Sequence, residues 1–439
     1  MDTAYLKGRE ILLAVLLAGI LMVFPQPAFS GAKSPLFDVI TVDAAITPPI
    51  AQYVLDNIKE SAREGADGLV ILLDTPGGLD LAMRDIAKGI LNAPLPVIVY
   101  VYPPGARAAS AGVIITISAN IAAMAPGTNI GAAHPVGIGI GGGMDKTMAE
   151  KVENDAVAYV RGIADKRGRN ADWVEKAVRK SESITAEEAL KLNVIEFVAQ
   201  DIKHLLEQMD DKTVWLAPGD KKVILHTKNA IINEKKMSTR EKILATLSDP
   251  NIAYILLLVG LAGLYFEFTN PGVLLPGIIG GISLILAFFS LQTLPVNYAG
   301  VLLILFAIIL FIAEIKIISH GLLTVGGIIS LTLGSLMLFS SPDPALRLSL
   351  KVMLPAVATI SLFFVAVISL VVRAQMQKRS TGMESLLGEA GEAATDILES
   401  GRVFIKGEYW QAHSDRLIEK GQKVKVTGVE GFNLKVEKS

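Results

Sequence analysis

The sequence contains no cysteine among its 439 residues. This absence excludes disulfide bonds, a thiolate nucleophile and cysteine-ligated metal sites. Charge is also scarce, because 19% of the residues are charged and the formal net charge is −2. A nucleic-acid partner requires a basic face, and the sequence indicates none. We therefore expect no nucleic acid, no metal and no cofactor.

Apolar residues, by contrast, are abundant in two places, and the first is the N-terminus. Lys7 and Arg9 precede an apolar run over residues 11–24, which is followed by small residues. This pattern predicts a signal peptide over residues 1–30, although an uncleaved anchor helix is the alternative. Under either interpretation residue 31 and those after it cross the membrane, so the next domain is expected to be extracytoplasmic, in the periplasm.

The second apolar region, residues 251–373, is expected to be a transmembrane domain of about five helices. Each predicted span has about 17 to 20 residues, enough to cross a hydrocarbon core of about 30 Å. Four or six spans remain possible, because the second and third are closely joined. Five spans would leave the C-terminal domain in the cytoplasm, and Arg373 directly after the last span agrees weakly with the positive-inside rule. The predicted spans are Ile252–Phe268, Val273–Gln292, Tyr298–Ile315, Leu322–Phe339 and Leu354–Val372.

Two soluble domains flank these spans. Residues 31–228 alternate strand-like and helix-like patterns, which predicts an α/β domain with mainly parallel strand pairing. A polar, lysine-rich linker is expected over residues 229–250. Residues 384–439 contain five short alternating segments between glycine turns, which predicts a small all-β barrel of the OB type. Its Tyr409 and Trp410 are expected to pack in the barrel core, with a partner-binding surface as the alternative.

The strongest chemical signal is Ser110, within the segment Gly105–Gly112. The segment follows a buried strand and opens an apolar helix, so the serine hydroxyl is expected on a tight strand-to-helix turn. Nucleophilic serines are presented in this way, although Ala108 stands where the usual pattern has glycine. The alternative interpretation is that Ser110 is an ordinary helix N-cap.

A glycine pair, Gly77-Gly78, follows an earlier parallel strand. Bare backbone N–H groups at such a turn can point at a developing oxyanion, and the amide of Ala111 would supply a second donor. The alternative is a plain turn, where glycine pairs are common.

A serine nucleophile needs a base, and the downstream candidates are His134, Lys146 and Lys151. A lysine serves as a base only where its surroundings lower its pKa. Lys151 lies in an apolar and acidic helix that follows a glycine-rich loop, from where it could reach back toward Ser110. The alternative is a solvated lysine on a helix surface.

Taken together, the motifs resemble those of the long NfeD family of membrane serine proteases, the stomatin-operon partners. The protease domain of that family has a ClpP/crotonase-like fold. The resemblance covers nearly the whole mature chain. It implies a dyad of Ser110 and Lys151, with Lys146 second and His134 as the alternative base, and oxyanion donors at Gly77, Gly78 and Ala111. It rests on Asp74–Gly78, Gly105–Gly112, Gly131–Pro135, Ile184–Ala189 and Gly407–Ala412.

The resemblance implies a membrane-bound serine endopeptidase that cleaves the hydrophobic region of a stomatin- or prohibitin-like membrane protein. It also implies a homo-oligomer, a dimer or larger. One alternative is a non-catalytic membrane scaffold that binds a stomatin-like partner. A third hypothesis is a crotonase-type acyl-CoA enzyme. The predicted signal peptide argues against it, because acyl-CoA substrates are cytoplasmic.

Overall fold

The computed structural model describes residues 34–135, 146–217, 219, 221–269, 272–317, 319, 321–339, 341, 346–376 and 382–439. The predicted signal peptide and most of the glycine-rich loop lie outside these residues. The chain divides into two compact units. The first contains the α/β domain, the helices up to Ile308 and the segment Ile328–Val357, and the second contains Ile309–Gly327 and the chain from Ala358 onward.

A six-stranded sheet forms the centre of the α/β domain, and its strand order is β11-β1-β2-β3-β5-β8. All five of its pairings are parallel, as predicted. β3 is buried along its whole length, as a parallel strand covered on both faces requires. The strands of this domain are β1 (Leu36–Asp43), β2 (Gly68–Asp74), β3 (Val97–Val101), β4 (Arg107–Ala109), β5 (Ile121–Met124), β6 (Asn129–Gly131), β7 (Ser183–Thr185), β8 (Phe197–Val198), β9 (Thr213–Leu216), β10 (Lys221–Ile224) and β11 (Ile231–Glu234).

Helices cover the two faces of this sheet. Alternate side chains of each strand point to opposite faces, so Leu69 and Ile71 belong to one apolar core and Val70 belongs to the other. The helical spacing of apolar residues such as Ile50, Val54 and Ile58 predicts a helix over Pro48–Glu64, and the structure confirms it with those bounds. The helices of this part are α1 (Pro48–Glu64), α2 (Asp80–Leu91), α3 (Ala111–Ser118), α4 (Lys146–Arg167), α5 (Ala171–Arg179), α6 (Ala186–Lys191), α7 (Ile202–Met209) and α8 (Thr239–Leu247).

The segment expected as a linker, residues 229–250, contains regular structure. β11 pairs with β1 at the edge of the sheet, and α8 follows it. Lys235, directly after β11, forms ion pairs with Asp38 and Glu64 at 3.4 and 2.7 Å. The polar composition therefore belongs to an exposed edge strand and a short helix.

In the described part of the predicted membrane region, the chain forms five apolar helices. Three of them are long and apolar enough to cross a membrane, namely Pro250–Thr269, Leu274–Thr293 and Leu350–Val367, and two are shorter, Tyr298–Glu314 and Leu322–Leu338. In full they are α9 (Pro250–Thr269), α10 (Leu274–Thr293), α11 (Tyr298–Lys316), α12 (Leu322–Leu338) and α13 (Leu350–Met376).

Hydrogen bonds in the first unit bring several ends of these helices together. The Ser349 N–H, just before α13, donates to Asn251 Oδ1 in the first turn of α9 at 2.9 Å. The Asn297 N–H, just before α11, donates to the Leu338 carbonyl at the end of α12 at 2.9 Å. The Thr293 hydroxyl, at the end of α10, lies 3.3 Å from Ser248 Oγ, just before α9. These bonds place the start of α9 beside the end of α10 and the start of α13, and the start of α11 beside the end of α12.

The C-terminal segment is a closed barrel in the strand order β12-β13-β14-β16-β15, so the predicted all-β barrel is confirmed. Trp410 packs against the barrel core, as expected. The expectation for Tyr409 is wrong, because it is 67% exposed: it precedes Trp410 on the same strand and therefore points to the opposite face. The strands are β12 (Ala390–Ala393), β13 (Gly401–Ile405), β14 (Glu408–His413), β15 (Lys423–Glu430) and β16 (Asn433–Lys438).

Candidate active site

Ser110 lies on a strained turn between β4 and α3. Its φ and ψ are 52° and −110°, and a positive φ is uncommon for a residue other than glycine. Ser110 occupies the N-cap position of α3, but its side chain makes no capping hydrogen bond, so it does not cap the helix in the ordinary way. The Ser110 N–H donates to the Gly131 carbonyl at 3.1 Å, which holds the backbone in this conformation. Such strain is typical of functional sites.

Small residues allow this turn to pack against the end of β2. Ala108 is fully buried, and a Cβ on Gly112 would lie 2.7 Å from the Thr75 side chain. The Thr75 N–H donates to the Arg107 carbonyl, and the Thr75 carbonyl accepts from the Ala109 N–H. The serine turn and the Gly77-Gly78 turn are therefore adjacent, which explains the alanines and glycines of both motifs.

Of the two glycines, Gly78 is the better oxyanion donor. The Gly77 N–H donates to Thr75 Oγ1 at 3.2 Å, so it is already engaged. Within the described residues the Gly78 N–H donates to no group, and Gly78 lines the same cavity as Ser110 and Ala111. The Ala111 N–H is at the first position of α3, where a helix offers it no acceptor. Two backbone donors therefore border the serine.

A cavity of about 500 Å³ contains these groups, and one face of α4 forms a wall of it. Lys151 lies on that wall, and its side chain is exposed. The residues of α4 that line the cavity recur at helical spacing, which places Lys151 on the cavity face of the helix. Lys146 begins α4, and its side chain lies outside the described residues. The α4 residues in the wall are Lys151, Val152, Asp155, Ala156, Tyr159 and Val160.

His134 lines the same cavity and is half-buried. Its Nδ1 lies 2.9 Å from the Val178 carbonyl oxygen. A carbonyl oxygen only accepts hydrogen bonds, so Nδ1 carries the proton and the neutral ring keeps Nε2 as an acceptor. Geometry therefore leaves His134 available as the alternative base. Its orienting partner is a carbonyl, where a catalytic triad would have an aspartate.

Arg84 connects α2, which follows the Gly78 turn, to the α4 wall. It pairs with Asp80 at 2.8 Å and with Asp155 at 2.7 Å, and its guanidinium lies 4.4 Å from the centre of the Tyr159 ring. Burial lowers the pKa of Arg84, but the hydrogen bonds and charges of Asp155 and Asp80 outweigh this effect and raise the pKa. Lys151, Asp155 and Tyr159 are spaced four residues apart on one helix face.

Two kinds of cavity residue are missing from the sequence-based prediction. Arg84 could have been suspected, because the spacing of Lys151, Asp155 and Tyr159 marks a polar stripe on α4 that needs a partner. Leu346 and Ser341 also line the cavity, but they come from the segment between α12 and α13. No local pattern in the sequence connects that segment to Ser110.

Comparisons with known proteins agree with this architecture. A model of the NfeD1b N-terminal domain matches residues 37–215, the NfeD integral membrane domain matches residues 251–370, and the NfeD-like C-terminal, partner-binding domain matches residues 383–438. The chain is 35% identical over 435 residues to the membrane-bound protease PH1510 of Pyrococcus horikoshii, covering 96% of this chain and 97% of that one. It is 29% identical over 464 residues to the membrane protein NfeD1b of Bacillus subtilis, covering 98% and 99%.

Solved structures of the 1510-N membrane-bound stomatin-specific protease also match. A serine-to-alanine mutant covers 47% of this chain and 100% of its own, with 35% identity and a TM-score of 0.44. A lysine-to-alanine mutant in complex with a substrate peptide covers 48% and 97%, with 34% identity and a TM-score of 0.45.

The fold, the site and the 35% identical relative define a membrane-bound serine endopeptidase with an α/β protease domain, apolar membrane helices and a C-terminal barrel. The chain belongs to the NfeD family.

Proposed function

We propose that this endopeptidase uses Ser110 as its nucleophile and Lys151 as its base. The observation that carries the proposal is that one cavity contains the strained Ser110 turn, two backbone donors and the Lys151 face of α4. The serine and the lysine replaced in the two 1510-N mutants are 41 residues apart (138 − 97 = 41). Ser110 and Lys151 have the same spacing (151 − 110 = 41).

In this mechanism the Ser110 hydroxyl attacks a peptide carbonyl while the neutral Lys151 amine takes the hydroxyl proton. The N–H groups of Gly78 and Ala111 donate to the oxyanion as it forms. The lysine then gives the proton to the leaving amine, and an acyl-enzyme on Ser110 remains. Water, deprotonated by the same amine, releases the second product and restores the serine.

The substrate proposal follows from the apolar character of the cavity. Met83, Ile114, Val152 and Val178 line it together with the polar groups of the site. Such walls fit apolar side chains on either side of the scissile bond. We propose that the substrate is a hydrophobic segment of a stomatin- or prohibitin-like membrane protein.

The partner and the arrangement in the membrane belong to the same proposal. The C-terminal barrel would bind a stomatin-like protein, the protease domain would lie in the periplasm after residue 30, and the barrel would lie in the cytoplasm. The chain would act as a homo-oligomer. Its protease domain, predicted over residues 31–228, would extend to the edge strand β11, and its membrane domain would cover residues 251–373.

The test is cleavage of a fluorogenic apolar peptide by the full chain in detergent. We expect Ser110→Ala and Lys151→Ala each to lower kcat/KM by about a thousandfold or more, because a nucleophile and its base act as a unit. Lys166→Ala, at the far end of α4, is the control and should be near wild type. Labelling of Ser110 by a fluorophosphonate provides a separate readout of its nucleophilicity.

Each outcome decides between the hypotheses. Full activity of Ser110→Ala would refute Ser110 as the nucleophile. Full activity of Lys151→Ala with none in His134→Ala would move the base to His134. A wild-type chain that neither cleaves peptides nor reacts with the fluorophosphonate, yet still binds its partner, would favour the non-catalytic scaffold.

A further inference from the structure

The protease cavity has a wall that the protease domain does not supply. Leu346 lines the cavity, although it follows α12 and precedes α13, far along the chain from the other groups of the site. It is a large apolar residue and only 2% exposed. Leu350, at the start of α13, is 56% exposed and does not line the cavity. Of these two leucines, Leu346 is therefore the buried one, and it alone lines the cavity.

Hydrogen bonds on both sides of Leu346 fix its position. Arg347 Nε donates to the Ser341 carbonyl at 2.5 Å, and Ser341 lines the same cavity. The Ser349 N–H donates to Asn251 Oδ1 in the first turn of α9. α9 continues directly from α8, where Ala245 packs against the core of the protease domain. Leu346 is therefore attached to the protease domain through a short run of ordered structure.

We propose that Leu346 is a specificity-determining residue, which limits the size of the apolar side chain that the cavity accepts beside the scissile bond. This inference rests on the proposed function, since it gives the substrate cavity of that site a wall from the membrane domain. An apolar pocket distinguishes side chains by the space it leaves, and a difference of one methylene changes kcat/KM by about tenfold or more.

The position of Leu346 also suggests which segment of a substrate reaches the serine. Leu346 lies where the chain enters α13, at the end of the helices where α9 begins. A peptide in the cavity would therefore lie beside the ends of the membrane helices. The substrate class that fits is an extended apolar segment directly next to a membrane-embedded stretch of its own chain.

The experiment compares fluorogenic peptides that have alanine, leucine or phenylalanine on either side of the scissile bond, with the full chain in detergent. We expect Leu346→Ala to raise kcat/KM for phenylalanine relative to alanine by about tenfold or more, because it enlarges the pocket. Leu346→Phe should shift the same ratio in the opposite direction. Leu350→Ala removes the same side chain outside the cavity and should leave the ratio unchanged.

A ratio that stays at the wild-type value in both Leu346 variants overturns the inference, and so does an equal loss of activity on every peptide. Reaction of Ser110 with a fluorophosphonate in the same samples separates this failure from that of the proposed function. If Ser110 still reacts while the ratio is unchanged, Ser110 remains the proposed nucleophile and only the role of Leu346 in specificity is refuted. Opposite shifts of this kcat/KM ratio in the two variants support the inference, because a general loosening of the fold would shift the ratio in the same direction in both.

Discussion

The backbone around Gly78 leaves no room for a side chain. Its φ is 156°, and a Cβ would lie 2.3 Å from the Ile46 carbonyl oxygen. The Ile46 N–H donates to the Gly77 carbonyl, and the Leu79 N–H donates to the Ile46 carbonyl, each at 2.8 Å. A side chain at position 78 would push the Ile46 and Gly78 segments apart and move the N–H that borders Ser110.

We therefore expect Gly78→Ala to lower kcat by about a hundredfold to a thousandfold, the usual cost of losing one oxyanion donor. Gly127→Ala is the matched control, because Gly127 also has a positive φ, 77°, but among the described residues beyond its chain neighbours no atom lies within 4 Å of its Cβ position. It should lose some stability and keep its kcat. Peptide cleavage and thermal unfolding of both variants measure this, and wild-type kcat in Gly78→Ala would contradict the oxyanion role.

Much of the site could be predicted at the residue scale because its parts lie in short local motifs. Gly78 follows β2, and Ser110 and Ala111 follow β4, a strand of a separate three-stranded sheet. A parallel bridge between Thr75 and Ala108 brings the two turns together. The cavity contains all three with Lys151 and His134, while their catalytic roles stay predictions. The choice between Gly77 and Gly78 could not be predicted, because it depends on which N–H the Thr75 hydroxyl engages.

At the scale of the elements, the relation of α2 to α4 controls where Lys151 lies. Arg84 pairs with Asp155, one turn after Lys151, and packs on Tyr159, two turns after it. Its other partner, Asp80, begins α2 directly after the Gly78 turn. Arg84 therefore connects the helix that carries the proposed base to the turn that carries an oxyanion donor.

We expect Arg84→Met to lower kcat by roughly tenfold to a hundredfold, since a small displacement of a catalytic group has effects of this size. Arg84→Lys should recover only part of the loss, because an ammonium group cannot reproduce the guanidinium fork. Arg161→Met is the control. Arg161 also makes two ion pairs from α4, to Asp172 and Glu175 at 2.9 and 2.7 Å, but it lies outside the cavity wall.

The readout is kcat at several pH values together with thermal unfolding. A positioning role predicts that Arg84→Met changes kcat and the pH profile while Arg161→Met changes stability alone. Equal effects of the two variants on both quantities would mean that the Arg84 pairs only stabilise the fold.

Prediction of the elements succeeded where hydrophobic periodicity is strong and failed at the polar edges. α1, with apolar residues at helical spacing, has the predicted bounds, and β2 is one residue longer than the strand that the apolar run Gly68–Leu73 predicts. β11 was expected to be part of a linker, because an exposed edge strand has a polar amino-acid composition similar to that of a loop. Only its register with β1, a long-range contact, identifies it as part of the sheet.

On the scale of the whole molecule, the C-terminal barrel presents an aromatic surface of its own. Phe404 and Tyr409 lie on neighbouring strands, their ring centres are 4.9 Å apart, and they are 42% and 67% exposed. Arg402 and Lys420 line a groove beside them. Exposed aromatic residues next to arginine are typical of the residues that contribute most to binding.

This surface is where we expect the proposed stomatin-like partner to bind. Tyr409→Ser in the full chain should weaken that binding by about tenfold or more, because loss of such a residue costs about 2 kcal/mol. Phe432→Ser is the control, since Phe432 is 86% exposed but lies on the β15–β16 turn. Binding of the purified partner by surface plasmon resonance measures the effect, with cleavage of a short peptide as a second readout. Because a short peptide needs only the cavity around Ser110, Tyr409→Ser should cleave it at the wild-type rate. Equal binding by both variants would exclude the Phe404–Tyr409 surface.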